Sequence, residues 1–263
     1  MTNLKFVTSD HVTLTYSDAG SGRPVLLLNG IGSYREIWQP TAQFLLAEGY
    51  RVICLDARNQ GASQRTIKGR RISRHAVDVA ELIGQLGLTD VIGIGNSMGA
   101  STLFAYVSLF GTKPFSAIID IDQSPKMIRD ETWPYGFKDL SWANFPDYLK
   151  LPFGSATATP VDSAVRQSVQ EARAAHPYEV SENEPCLVDH AFQDWRDIIL
   201  KLDVPLLVVA GAQSPYFDSA FAAATAKLAP KGQSAVIKNA GHIVMTEQPA
   251  LFNDLIKKWL KTV

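Results

Sequence analysis

A serine pinned between glycines in a tight turn is suited to nucleophilic chemistry, and Gly95-Asn96-Ser97-Met98-Gly99 holds one. The apolar run Val91-Ile92-Gly93-Ile94 before it reads as a buried strand, and Ala100 to Phe110 after it reads as a helix. Strand, sharp turn and helix put the Ser97 hydroxyl at an apex above the sheet edge, on strained backbone with the positive end of a helix beneath it. Glycines flank it because a Cβ there would strike the neighbouring strand or helix. A serine hydroxyl is a weak nucleophile at neutral pH. It needs an adjacent base, and the base needs a third group to fix its tautomer.

Five histidines are available as the base. His11 falls in an N-terminal hairpin, His75 on a helix, and His176 and His190 in a region without clear strands. His242 follows Gly241 directly after the last expected strand. Two aspartates compete as the third group. Asp122 ends the strand Phe115 to Asp122, with Asp120 on the same face but deeper. Asp218 falls in the first turn of a helix expected over Phe217 to Leu228, where the helix dipole alone accounts for an acidic residue. A charge at the end of an apolar strand costs free energy unless it is paired, which favours Asp122.

The G-x-S-x-G turn between strand and helix resembles the nucleophile elbow of the α/β-hydrolase fold. The resemblance covers essentially the whole chain outside one insertion. It implies the chain order serine, acid, histidine, with Ser97 as nucleophile and His242 as base. Asn29-Gly30-Ile31 falls where these hydrolases carry His-Gly, so the resemblance gives the Ile31 N–H, together with that of Met98, to an oxyanion hole. Asn29 stands in place of the histidine. Asp56-Ala57-Arg58-Asn59-Gln60-Gly61-Ala62-Ser63 resembles the D-x-R-G-H-G-x-S loop, with Asn59 and Gln60 as departures, and implies a structural role without chemistry. The common acid position, in a G-x-x-D pattern, is occupied by Ser214 in Gly211-Ala212-Gln213-Ser214. Some lipases of the fold carry their acid after the strand that here ends at Asp122, and this assigns the role to Asp122 rather than Asp218.

The elements around these residues alternate as a mostly parallel sheet requires. A hairpin over Phe6 to Tyr16 caps one edge. Strands follow at Pro24 to Leu28 and Arg51 to Leu55, with helices over Glu36 to Ala47 and from Ile72 to Leu86. After the elbow come the Phe115 strand, then strands at Val204 to Ala210 and Ser234 to Ile237, and a closing helix striped by Leu251, Phe252, Leu255, Ile256, Trp259 and Leu260. The expected fold class is α/β, with helices on both faces of the sheet. Residues 1–122 and 203–263 form the core, and 123–202, rich in aromatics and prolines, form a helical cap over the serine. Gln193-Asp194-Trp195-Arg196-Asp197 resembles the segment at which such caps return.

With 25 basic and 26 acidic residues, a net charge of −1 and no run of like charge, the chain lacks the footprint of a nucleic-acid or membrane binder. Its 46% hydrophobic content suits a globular enzyme. Its N-terminus shows no signal-peptide pattern, so the expected compartment is the cytoplasm. Cys54 and Cys186 are expected to be free thiols, not a disulfide or a nucleophile. No His or carboxylate pair has metal-ligand spacing, and Gly93 and Gly95 lack the third glycine of a dinucleotide fingerprint, so no cofactor or metal is expected. The expected partner is a small-molecule substrate, met by a monomer or homodimer. The expected function is a serine hydrolase acting on small, largely apolar esters. The alternatives are a binding or sensing protein with little turnover, suggested by Asn29, Asn59, Asn96 and Ser214, and a lyase, perhydrolase or carbon–carbon hydrolase using the same three side chains.

Overall fold

The computed structural model describes residues 3–263. Eight strands, β1 (Leu4–Val7), β2 (Thr13–Ala19), β3 (Pro24–Leu28), β4 (Arg51–Asp56), β5 (Val91–Asn96), β6 (Phe115–Ile121), β7 (Leu206–Gly211) and β8 (Gly232–Ile237), form one sheet. Their order is β1-β2-β4-β3-β5-β6-β7-β8. β1 and β2 are an antiparallel hairpin at one edge, and from β4 onward every pairing is parallel. The helices are α1 (Gln39–Ala47), α2 (Ile72–Leu86), α3 (Met98–Phe110), α4 (Ser163–Ala175), α5 (Val180–Phe192), α6 (Arg196–Ile199), α7 (Ala220–Leu228), α8 (Val244–Glu247) and α9 (Pro249–Leu260).

The continuous apolar strands follow from cover on both faces. In β3, Leu26 and Leu28 enter a core shared with Val79 of α2, Phe104 of α3 and Phe221 of α7, whereas Val25 and Leu27 enter the opposite core with Leu45 of α1 and Phe252 of α9. Each fully buried leucine contributes roughly 2 kcal/mol relative to exposure, so alternate residues on both faces repay an apolar side chain. Asp120 of β6 breaks that rule. Wholly buried, it is pushed well above the usual carboxylate range by desolvation and then by the charge of Asp122, against a smaller opposing effect of the Gln123 backbone N–H.

Several boundaries differ from the sequence expectation; β6 stops at Ile121, which leaves Asp122 just outside the strand, and β8 starts at Gly232. Arg35–Trp38 forms a separate 3₁₀ turn, and α1 starts only at Gln39, with Pro40 in the first turn where its missing N–H is tolerated. β7 starts at Leu206, and Pro205 precedes it, passing its carbonyl to the Ile118 N–H at 2.9 Å. α7 starts at Ala220, so Asp218 lies outside the helix and accepts the Ala220 N–H at 2.9 Å.

Between β6 and β7 the chain leaves the sheet for a 3₁₀ turn (Asp147–Lys150) and then α4, α5 and α6, and among the described residues its only strand-like pairings are isolated bridges. Asp162 caps α4 by accepting the Ala164 N–H at 2.9 Å. The exit and return points are stitched together: Lys126 is bridged to Asp194, and the Trp195 N–H donates to the Pro125 carbonyl at 2.9 Å. The Arg196 guanidinium then stacks over Trp133 at 5.5 Å. Among the described residues no helix is long and apolar enough to cross a membrane, and Cys54 and Cys186 are free and buried.

Candidate active site

Ser97 sits between β5 and α3 at φ 56°, ψ −128°, a region sparsely populated for any residue with a side chain. Holding it there costs on the order of 1–3 kcal/mol, which the surrounding packing must offset. The glycines make the turn sterically possible: a Cβ on Gly95 would lie 2.2 Å from the Ala100 nitrogen, and one on Gly99 would lie 2.2 Å from the Leu28 carbonyl. The Ser97 N–H donates to the Ile121 carbonyl at 2.9 Å, tying the turn to the end of β6.

Asp122 follows immediately, at φ 53°, and is fully buried. Its Oδ2 lies 2.7 Å from His242 Nδ1, so the two residues that the sequence offered as acid and base are in direct contact. The remaining acceptor capacity is also used. The Gly211 N–H donates to Oδ1 at 2.9 Å, and the Ser214 hydroxyl donates to Oδ2 at 2.6 Å. Ser214 is itself held by the amides of Tyr216 and Phe217, at 3.3 and 3.4 Å. The serine at the common acid position therefore supports the aspartate at the other one. Asp218 is exposed and occupied with the start of α7, away from His242.

Ser97 and His242 both line a cavity of about 400 Å³, with Phe137, Phe153, Tyr216 and Phe217 among its walls. The Tyr216 ring packs edge-on against the His242 imidazole, with centroids 4.6 Å apart. Gly30 brings the β3 loop against the serine, since a Cβ there would lie 2.8 Å from Ser97 Cβ. Ile31 and Met98, the two expected oxyanion donors, thus follow the residues that touch or carry Ser97. Among the described residues neither amide N–H is spent on a protein acceptor.

A model of the alpha/beta hydrolase family matches residues 25–255. The chain belongs to that family. It is 29% identical over 244 residues to a non-heme haloperoxidase of Rhodococcus erythropolis, spanning 85% of this chain and 86% of that protein. A bifunctional esterase/perhydrolase of Acinetobacter calcoaceticus is 26% identical across 78% of this chain and 79% of its own. Among solved structures, an esterase from Exiguobacterium antarcticum superposes with a TM-score of 0.86 at 22% identity, covering 99% of this chain and 100% of that one, which is a likeness of fold.

Three further residues, Asn96, Gln60 and Glu247, support this hydrolase's site through their side chains. Asn96 Nδ2 donates to the Ile121 carbonyl at 3.1 Å and to the His242 carbonyl at 3.0 Å, so one amide spans the three loops that carry Ser97, Asp122 and His242. Gln60 Oε1 accepts the Gly32 N–H at 2.7 Å, which fixes the loop carrying Ile31. The Asp56–Ser63 loop, expected to be structural only, therefore reaches the site through a residue that departs from the family pattern. Glu247 of α8 gathers amides from both sides of His242: Gly241 at 2.9 Å and Ile243 at 3.1 Å. It also accepts from Ala158 at 2.7 Å and Thr159 at 2.9 Å, in the segment between β6 and β7.

Of two other buried histidines, His190 lines the same cavity and His75 does not. His75 of α2 and His190 of α5 are buried, and desolvation lowers them to about 3 and about 4 respectively, with the Arg58 charge adding to the effect on His75. Cys186 Sγ lies 3.7 Å from His75 Nε2, and burial pushes its thiol up to about 12. Neither cysteine stands in a nucleophile's environment; Cys54 is likewise pushed up to about 12 by burial. Among the described residues no cluster of His, Cys, Asp and Glu has the arrangement of a metal site.

Proposed function

We propose that this hydrolase is a serine carboxylesterase acting on small, largely apolar esters, with Ser97, His242 and Asp122 as its catalytic triad. The observation that carries the reading is the 2.7 Å contact of Asp122 with His242 at the cavity that also exposes the strained Ser97. Asp122 holds the Nδ1–H tautomer of His242, which leaves Nε2 free to take a proton. As the ester binds, Ser97 Oγ attacks its carbonyl and passes its proton to Nε2, while the amides of Ile31 and Met98 receive the negative charge on the carbonyl oxygen. Collapse of the tetrahedral species expels the alcohol, protonated by His242. Water, deprotonated by the same imidazole, then releases the acid and regenerates the serine.

The segment 123–202 acts in this reading as a cap that walls the cavity and limits it to small molecules. The partner is a soluble small-molecule substrate, with neither nucleic acid nor membrane, and the free thiols fit a cytoplasmic enzyme. A fluorophosphonate tests the mechanism, because it reacts only with an activated serine. The expected result is one adduct on Ser97 in the wild type and none in Ser97→Ala. An unlabelled wild-type protein would favour a ligand-binding role instead.

A second reading is perhydrolysis, in which hydrogen peroxide replaces water at the acyl-enzyme and the product is a peracid. The names of the haloperoxidase and perhydrolase relatives favour it. Assaying peracid alongside acid, with peroxide present, separates the two.

A further inference from the structure

The charge lining the cavity is one-sided. Among the described residues that line it there is no aspartate or glutamate, yet Arg166 and Arg173 both reach it from α4. They stand seven residues apart, with Gln170 between them also lining the cavity, so at 3.6 residues per turn the three fall on one stripe of the helix about 10 Å long. Val165 and Val169 run beside that stripe and also line the cavity. Among the described residues neither arginine enters an ion pair. Glu171, on the same helix, is bonded to Gln167 at 2.9 Å instead.

Both guanidinium groups keep donors to spare. Arg166 spends one N–H on the Val161 carbonyl at 3.4 Å, out of the five a guanidinium carries. The Arg173 guanidinium carbon lies over the Tyr34 ring, 5.9 Å from its centroid, and among the described residues the group makes no hydrogen bond or ion pair. The Tyr34 hydroxyl donates to the His176 carbonyl at 2.9 Å, just past the end of α4, so the aromatic platform is itself held in place. Ester cleavage at Ser97 does not require these cations, because backbone amides receive the charge that develops on the carbonyl oxygen. Arg166, Gln170 and Arg173 are each exposed and also line the cavity, so they stand at its rim, where an anion could meet them without being fully desolvated.

We propose that Arg166 and Arg173 form an anion subsite and that the preferred substrate is an ester carrying a second, negatively charged group, a carboxylate at the end of its acyl chain. A carboxylate matches the forked donor edge of arginine, and Gln170 adds a neutral donor between the two cations. The apolar chain lies against the valine face of α4. The proposal rests on the esterase reading, which it narrows from small apolar esters to half-esters of dicarboxylic acids.

Two para-nitrophenyl esters of equal chain length test it, the hydrogen pimelate and the heptanoate, which differ by a carboxylate in place of a methyl group. The wild type is expected to favour the pimelate by about tenfold in kcat/KM at low salt, through two partly solvated charge contacts. The preference shrinks as salt is raised, and the Arg166→Gln/Arg173→Gln variant loses most of it. A ratio that is the same in wild type and variant overturns the subsite, and a merely structural role for α4 would give that result by moving both esters together. A binding measurement keeps this separate from turnover: calorimetry of Ser97→Ala with monoethyl pimelate and ethyl heptanoate, with and without the two arginine changes. If the wild type cleaves neither ester, the esterase reading fails. The calorimetry then still supports the subsite, if the half-ester binds more tightly only with both arginines present, or overturns it, if the two ligands bind alike.

Discussion

At the carboxyl ends of β5 and β6 the site side chains are placed by backbone: Ser97, which lines the cavity, and Asp122, buried against His242, both sit at positive φ, 56° and 53°, and glycines make room around the serine. Across the cavity, α4 and α5 contribute Val165, Arg166, Arg173 and Leu187 as ordinary helical side chains, with no strained backbone at those positions. The first arrangement admits few substitutions, since each residue is fixed by a turn that only certain residues adopt. The second admits many, because a helix presents whatever side chain its sequence supplies. On the proposed reading, chemistry is held where change is costly, and selectivity where change is cheap.

The sharpest way to break that contrast is at the acid. Asp122→Asn is expected to lower kcat by about four orders of magnitude, because the amide no longer holds His242 in the productive tautomer. Asp218→Asn, which alters only a contact ahead of α7, is expected to change kcat less than about twofold. Steady-state kinetics on a chromogenic ester measures both, and the opposite ranking would move the acid to Asp218.

The joint between the two regions is expected to be acid-sensitive. His75 and His190, on α2 and α5, are lowered by burial from 6.5 to about 3 and about 4. The unfolded chain then binds protons that the folded one refuses, so their contribution to stability is complete above about pH 6.5 and is lost as pH falls toward 4. The slope is about 1.4 kcal/mol per pH unit for each histidine as an upper limit. Asp56 works in the opposite sense, since burial raises it to about 6 and protonation favours the folded form as pH falls. The informative quantity is therefore the difference between wild type and His190→Asn in urea unfolding at pH 7 and pH 5. The variant's own loss of packing shifts both values equally, whereas the titration narrows the gap between the proteins at the lower pH. A gap that stays constant would show that His190 is not held neutral.

Smaller effects sharpen the contrast further. Ser214→Ala removes one of the three hydrogen bonds on Asp122 and is expected to lower kcat about tenfold, with Ser214→Thr retaining most of the activity. An unchanged rate would mean that Gly211 and His242 suffice to orient the carboxylate. On the other wall, Leu187→Trp fills part of the cavity and is expected to raise the preference for butyrate over octanoate esters about fivefold. A change that slowed both esters equally would place Leu187 outside the acyl path.

How much of this was legible in the sequence follows the same division. The elbow was readable because a strand, two glycines and a helix are contiguous, and Asp122 and His242 because each follows a recognisable strand, Asp122 directly and His242 after a short loop. Ser214 was read only as a missing acid. Its hydroxyl matters because β6 and β7 are neighbours, which brings residues 122 and 214 together across a long stretch of chain. Gln60 and Glu247 were silent for the same reason, since their acceptors serve amides at positions 32 and 158. Within 123–202 helices were expected but their bounds were not readable: α5 carries Pro185 inside it, and α4 is polar overall and buries only Val165 fully. The start of α7 was misjudged because Asp218 and Ser219 suit a helix entrance as well as a first turn.

The Glu247 carboxylate has a consequence for how this scaffold can be altered. It binds Gly241 and Ile243 on either side of the histidine and, with the same group, Ala158 and Thr159 from the excursion between β6 and β7, while the His242 N–H itself donates to the Ala156 carbonyl at 2.8 Å. That excursion is therefore not a detachable lid. A chimera that exchanged it for another enzyme's sequence would need to reproduce the short 156–159 stretch in place, or leave a buried carboxylate with half its donors and His242 on a loose loop. The practical graft has two pieces, one on each side of that stretch, with 156–159 retained as a fixed rivet.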